Sequence, residues 1–165
     1  MLKRILIVGA AGRGKSTFAA RLSAKTGIPH CSTDDFYWKV KFTEKNDKSR
    51  SIEEIKAVYL KDVWIVDGTS RHLIADGLES ADIIFHFEFK HLIFQYYFLI
   101  TRFVGRKHER FIDLWDLLKY VTNMRFGRGS AGAKTPYIEL LKPYEKKVVR
   151  LDSMRAINAY LESFN

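Results

Sequence analysis

Cysteine is almost absent: Cys31 is the only one in 165 residues. That excludes an intrachain disulfide and a cysteine-rich zinc site, and it suits a reducing compartment. Three prolines and ten glycines are too few for a collagen-like or Pro/Gly-rich disordered chain. Long hydrophobic runs are missing too. The longest uncharged stretch that reads as helix, His91–Thr101, has 11 residues, about half of the roughly 20 that a membrane span needs. Met1 to Ile5 leads straight into a glycine loop without a cleavable signal pattern. These absences predict a soluble cytoplasmic protein with no membrane partner, a monomer or a homodimer. The five histidines show no metal-ligand spacing and are expected to be structural or superficial.

What the chain has in excess is positive charge, and the excess is local. Residues 1–89 carry 14 Lys/Arg and 12 Asp/Glu, whereas residues 90–150 carry 13 and 5. Such a concentration attracts polyanions, either nucleic acid or a small substrate with several phosphates. Arg102, Arg106, Arg110, Arg125 and Arg128 lie within it.

Continuous apolar runs over Ile5–Val8, Val63–Val66 and Ala81–Phe89 predict strands buried on both faces, with shorter strands at His30–Thr33 and Lys147–Leu151. Helical spacing predicts helices at Ser16–Thr26, from Ser51 (its N-cap), at His91–Val104, at Ile112–Phe126 and after Ser153, where Met154, Ile157, Leu161 and Phe164 share a face. Lys39–Arg50 is polar and aperiodic and predicts a mobile loop, and Gly127–Lys134 predicts a loop. The alternation predicts one α/β domain over residues 1–165, with a mainly parallel five-stranded sheet. Ligands of such sheets bind beyond the carboxyl ends of the strands, where Gly9, Asp34 and Asp67 fall.

Gly9-Ala10-Ala11-Gly12-Arg13-Gly14-Lys15-Ser16 satisfies G-x-x-x-x-G-K-[ST], between a predicted buried strand and a predicted helix. Glycines let successive N–H groups turn inward around phosphates, and the following helix adds its positive end. Gly9 to Ser16, with Thr17, form the expected nucleotide-binding set. Lys15 is expected to reach the β- and γ-phosphates as a catalytic cation and Ser16 to ligate Mg²⁺. Asp67 closes a buried strand, where an acid serves packing poorly. It is a candidate for holding Mg²⁺, the competing use being a cap for the helix near Ser70. Asp34 or Asp35 is expected to bind or deprotonate an acceptor hydroxyl, the competing use being a turn pair. Arg71 is a candidate for bidentate binding of a substrate phosphate or carboxylate.

The loop, Asp34-Asp35-Phe36-Tyr37-Trp38, Val66-Asp67-Gly68-Thr69-Ser70-Arg71 and Val148-Val149-Arg150-Leu151-Asp152-Ser153 together resemble the adenylate-kinase-like P-loop proteins known as DNA topology modulation proteins, the FlaR-like family. The resemblance implies a three-layer P-loop NTPase fold with a short helical lid at about residues 102–132. It favours Asp34 over Asp35. Nucleoside monophosphate kinases carry Asp-Gly-x-Pro-Arg after the third strand; Asp67, Gly68 and Arg71 keep that spacing, with Ser70 in place of proline. By resemblance, Asp67 organises Mg²⁺, Arg71 binds acceptor phosphate, Arg106 and Arg110 act on the transferring phosphoryl group, and Arg102 stacks on the nucleotide base. The expected activity is Mg²⁺-dependent transfer from ATP to a nucleotide or other small acceptor. The alternative is a nucleotide-binding regulator or NTPase associated with nucleic acid, less favoured because no helix-turn-helix, RRM or zinc-finger pattern is present.

Overall fold

The structure is a computed structural model that describes residues 3–40, 44–88, 92–104, 111–125 and 137–163. Five parallel strands form its centre: β1 (Arg4–Gly9), β2 (His30–Ser32), β5 (Trp64–Gly68), β6 (Ile83–Phe87) and β7 (Val148–Leu151), in spatial order β2-β5-β1-β6-β7. The chain leaves central β1 for the edge at β2, returns through β5, and then crosses β1 to β6 and β7. All five strands were expected, three of them from continuous apolar runs.

Alternation along β1 sorts its side chains to two faces. Ile5 and Ile7 join Phe18, Ala19 and Leu22 of α1 (Lys15–Thr26) and Ile157 and Leu161 of the C-terminal helix Met154–Glu162. Leu6 and Val8 join Ile55 and Tyr59 of α3 (Lys48–Tyr59), Leu73, Ile74 and Leu78 of α4 (Arg71–Ser80), and Leu141 of a short helix at Tyr137–Leu141. This is the three-layer arrangement. Phe18 sits edge-on to both Phe85 and Phe87, with ring centroids 5.1 and 5.3 Å away. Gly27 ends α1 in the left-handed conformation, φ 72°, directly after the predicted last residue Thr26.

Two further helices, α5 (Leu92–Val104) and α6 (Phe111–Arg125), pack on each other through a separate small cluster of Leu99, Leu114 and Val121. Tyr96 and Phe103 join that cluster, whereas Tyr97 is exposed. No helix among the described residues is long and apolar enough to cross a membrane.

Three local expectations are corrected. Within the predicted Lys39–Arg50 loop, β3 (Trp38–Val40) pairs antiparallel with β4 (Glu44–Lys45), following a five-residue helix α2 (Thr33–Tyr37). Helix α3 begins a turn before Ser51, capped by Asp47, whose carboxylate accepts the Arg50 N–H at 3.0 Å. Ser51 is instead a buried tie, donating from its hydroxyl to the Phe36 carbonyl at 2.7 Å. The helix after Ser153 is capped as expected, but Met154 is exposed. Its position in the first turn lies beyond the reach of the core. Phe164 and the Gly127–Lys134 segment lie outside the described residues.

Candidate active site

The loop after β1 is shaped by glycine. At Gly9 (φ 143°) a Cβ would stand 2.6 Å from the Phe87 carbonyl oxygen, so the turn can press against β6 only without a side chain. Gly14 (φ 77°) is the residue before α1, in a left-handed conformation that sets the angle of entry into the helix. The turn thus places the positive end of a 12-residue helix at a cavity of about 450 Å³, lined by residues 11–17 with Ser32, Asp34, Asp67, Gly68, Thr69 and Thr101. Lys15 is buried along its stem, and its ammonium donates to the Ala10 carbonyl at 3.0 Å, so the cation lies back across its own loop. Arg13 donates to the Phe87 carbonyl at 2.6 Å, tying the loop to the end of β6.

Asp67 is 2 % exposed at the end of β5 and is held from two sides. The Ser16 hydroxyl donates to Oδ2 at 2.8 Å, and His30 Nε2 meets Oδ1 at 2.7 Å. The carboxylate does not cap α4, whose N-cap is Ser70. His30 was expected to be structural, yet it stands at the site. The β2–β5 register places His30 opposite Ile65 and Ser32 opposite Asp67, which brings the imidazole within reach. Ser16 and Asp67 together offer hydroxyl and carboxylate oxygens at the cavity wall, the hard donor chemistry that suits Mg²⁺. Cys31, beside His30, is half-buried, and burial pushes its thiol up to about 11, so it is no thiolate nucleophile at neutral pH.

Asp34 and Asp35 divide. Asp35 closes a capping box: it accepts the Ser32 N–H at 3.1 Å, while the Ser32 hydroxyl accepts the Asp34 N–H at 3.3 Å. Asp34 lines the phosphate-loop cavity and also a second one, of about 730 Å³, which shares Ala11 and Thr69 with the first. The second cavity is walled by Tyr37, Trp38, Tyr120 and Tyr137, with Arg71, His72 and Lys45 at its margin. Arg71 opens α4 and lies over the Tyr137 ring, its guanidinium carbon 5.3 Å from the centroid. The Tyr137 hydroxyl donates to the Thr69 carbonyl at 2.8 Å. Burial pushes that hydroxyl up to about 12, against the nearby Arg71 charge, so it remains a donor at neutral pH.

The fold therefore gathers Ala11–Thr17, Asp34 and Asp67 around one cavity and puts Ala10 and Arg71 on the adjoining one, with Gly9 behind the loop. Arg106 and Arg110 lie outside the described residues, as does the side chain of Arg102. Tyr120 and Tyr137 were not anticipated as site residues. Each is one aromatic in an apolar or polar stretch, and only the packing of distant helices reveals its place.

No family model matches the chain. It is 40% identical over 70 residues to the uncharacterized protein YqaC of Bacillus subtilis, covering 41% of this chain and 39% of that protein. It is 31% identical over 86 residues to an adenylate kinase of Thermotoga neapolitana, covering 51% of this chain and 39% of the kinase. The matches thus span about two fifths of these curated relatives. Among solved structures, a shikimate kinase from Bacteroides thetaiotaomicron superposes with a TM-score of 0.58 at 14% identity, covering 99% of this chain and 96% of that one. A gluconokinase from Sinorhizobium meliloti superposes with a TM-score of 0.54 at 15% identity, covering 98% and 92%. These likenesses show a P-loop kinase-like fold.

Proposed function

We propose that this chain is an ATP-dependent small-molecule kinase, a single domain that transfers the γ-phosphoryl group to a nucleotide or other small acceptor. One observation carries the reading: the phosphate-loop cavity, with Lys15, Ser16 and Asp67 on its wall, opens beside a second cavity that shares Asp34. A donor site and an acceptor site separated by one carboxylate is the layout that direct transfer requires, because catalysis of this kind consists mostly of positioning and charge neutralisation. The sequence match to adenylate kinases supports the same reading; that the chain is one of the adenylate-kinase-like DNA topology modulation proteins is retained as part of the proposal.

In this reading the loop amides and Lys15 hold the triphosphate. Ser16 and Asp67 are the residues that would hold Mg²⁺, and their oxygen set fits it; when bound, the ion neutralises phosphate charge. Asp34 faces the acceptor and Arg71 anchors it. A short helical lid spans about residues 102–132. From it Arg106 and Arg110 cover the γ-phosphate, a role worth about 10³–10⁵ in rate for an arginine supplied this way, and Arg102 contacts the base.

The test is an ATP-consumption screen over nucleotides and small hydroxylated metabolites, with calorimetry for ATP binding and Lys15→Ala as control. Transfer should vanish in Lys15→Ala while its circular dichroism stays native. Wild-type turnover in that variant, or no uptake of ATP by folded protein in the presence of Mg²⁺, refutes the reading.

A further inference from the structure

The second cavity has a chemistry of its own, and the geometry points to an acceptor that is an alcohol bearing a flat ring and one anionic group, phosphorylated on its hydroxyl oxygen and not on a phosphate. This inference rests on the kinase reading above and adds the acceptor class to it.

Three features carry it. The first is where the acid stands. Both cavities are lined by Ala11, Asp34 and Thr69, and of these shared residues Asp34 alone carries a charge. A phosphate or carboxylate acceptor would bring like charge against Asp34 at the moment of attack, whereas a hydroxyl offers the proton that a carboxylate accepts. The second is the walls. Tyr37 and Trp38 meet edge-on at 4.8 Å where α2 passes into β3, while Tyr120 and Tyr137 come from two other helices, so aromatic surface enters from three directions. Such lining favours a flat apolar body over an open-chain polyol. The third is the pair of cations. Arg71, at the start of α4, is seated over Tyr137, which is itself tied to the Thr69 carbonyl. Lys45, on β4, has its ammonium 5.5 Å from the Tyr37 ring. The two cations come from separate elements and line the same cavity as Asp34. An anionic group on the acceptor would satisfy them while its hydroxyl points at Asp34.

The transfer step then balances simply. The hydroxyl oxygen forms a bond to the γ-phosphorus and the bond from that phosphorus to the β–γ bridging oxygen breaks, leaving its electron pair on ADP. The hydroxyl proton passes to the Asp34 carboxylate and from there to water.

The test uses the full chain saturated with Mg²⁺ and a non-hydrolysable ATP analogue, whose own binding is measured first. Four probes are then titrated calorimetrically: 3-phenyllactate (ring, hydroxyl, carboxylate), 3-phenyl-1,2-propanediol (ring and hydroxyl, neutral), gluconate (hydroxyl and carboxylate, no ring) and AMP. With ATP in place of the analogue, ³¹P NMR follows the product. Phenyllactate should bind at least about tenfold tighter than the diol or gluconate, and Arg71→Gln should remove its advantage over the diol. Any product from AMP should be a phosphate ester on the ribose. Conversion of AMP to ADP, a diol or gluconate that binds as tightly as phenyllactate, an Arg71→Gln variant that keeps the preference, or absence of probe binding to analogue-loaded protein would each overturn the inference and leave the kinase reading standing. Failure to bind the ATP analogue at all would overturn both.

Discussion

Ser16 and Asp67 lie 51 residues apart in the chain, yet the Ser16 hydroxyl donates to the Asp67 carboxylate at 2.8 Å. The contact joins the first turn of α1 to the end of β5, and His30 holds the other carboxylate oxygen from β2. Three elements thus fix one acid at the wall of the phosphate-loop cavity. A buried carboxylate supported by a hydroxyl and an imidazole suits a hard divalent ion better than it suits packing.

Asp67→Asn keeps an oxygen for Ser16 to donate to, removes the charge and puts an amide NH2 in place of the oxygen that meets His30. Binding of ATP with Mg²⁺ should weaken at least about tenfold, whereas binding without the ion should change little. Calorimetry in the two conditions separates the effects. Equal affinity of variant and wild type for the Mg²⁺ complex would show that Asp67 has no part in holding the ion.

Gly68 is required for space. A Cβ there would stand 2.0 Å from Thr33 Oγ1 and 2.4 Å from its Cγ2, and Thr33 is fully buried. Gly68→Ala should cost about 1–3 kcal/mol through overpacking. Urea unfolding would measure it. Adding Thr33→Ala removes the two nearest atoms and should recover part of the loss, the non-additivity expected of residues in contact. A Gly68→Ala protein as stable as wild type would mean that β5 and α2 are not packed this closely.

Much of this was legible because the physics behind it is local. Ile5–Val8 and Val63–Val66 are apolar runs that read as strands buried on both faces, which holds for Ile5–Val8 and from Trp64 on, Val63 being exposed before β5, and Gly9–Ser16 carries its phosphate chemistry in eight successive residues. What escaped depends on contacts between distant residues. The β3–β4 pair has no pattern of its own. It is held by Asn46, whose N–H donates to the Tyr37 carbonyl and whose side-chain amide donates to that of Phe36, with Ser51 reaching the same Phe36 oxygen. His30 finds Asp67 across 37 residues through a strand register that no spacing rule encodes. The resemblance favoured Asp34 over Asp35; the physical difference between them, Asp35 being taken up by the Ser32 capping box, lies in the structure.

Tyr137 links the loop after β5 to the seat of Arg71. Tyr137→Phe removes the hydrogen bond to the Thr69 carbonyl and keeps the ring beneath the guanidinium. Stability should fall by about 0.5–1.5 kcal/mol, the net worth of one such bond, while ATP affinity should change little, because Tyr137 does not itself line the phosphate-loop cavity and meets it only through Thr69. Urea midpoints and calorimetry check the two halves. A loss of ATP affinity without a loss of stability would contradict this division.

His86 sets an acid limit on folding. It is 3 % exposed on β6 and its Nδ1 has no hydrogen-bond partner among the described residues; the Glu88 carboxylate stands 3.8 Å away. Burial holds the imidazole below its ordinary value of about 6.5, a shift opposed by Glu88 and reinforced by Arg13 and Arg150. In the window between the lowered value and 6.5 the unfolded chain binds the proton that the folded chain refuses. Stability is therefore full above about 6.5 and falls as pH drops through that window, by at most about 1.4 kcal/mol per pH unit from this group. His86→Gln removes the titration, so its urea midpoint should decline less steeply between about pH 6.5 and 5.5 than that of the wild type, whatever its absolute stability. Parallel declines in the two proteins would mean that His86 protonates as readily inside the fold as outside it.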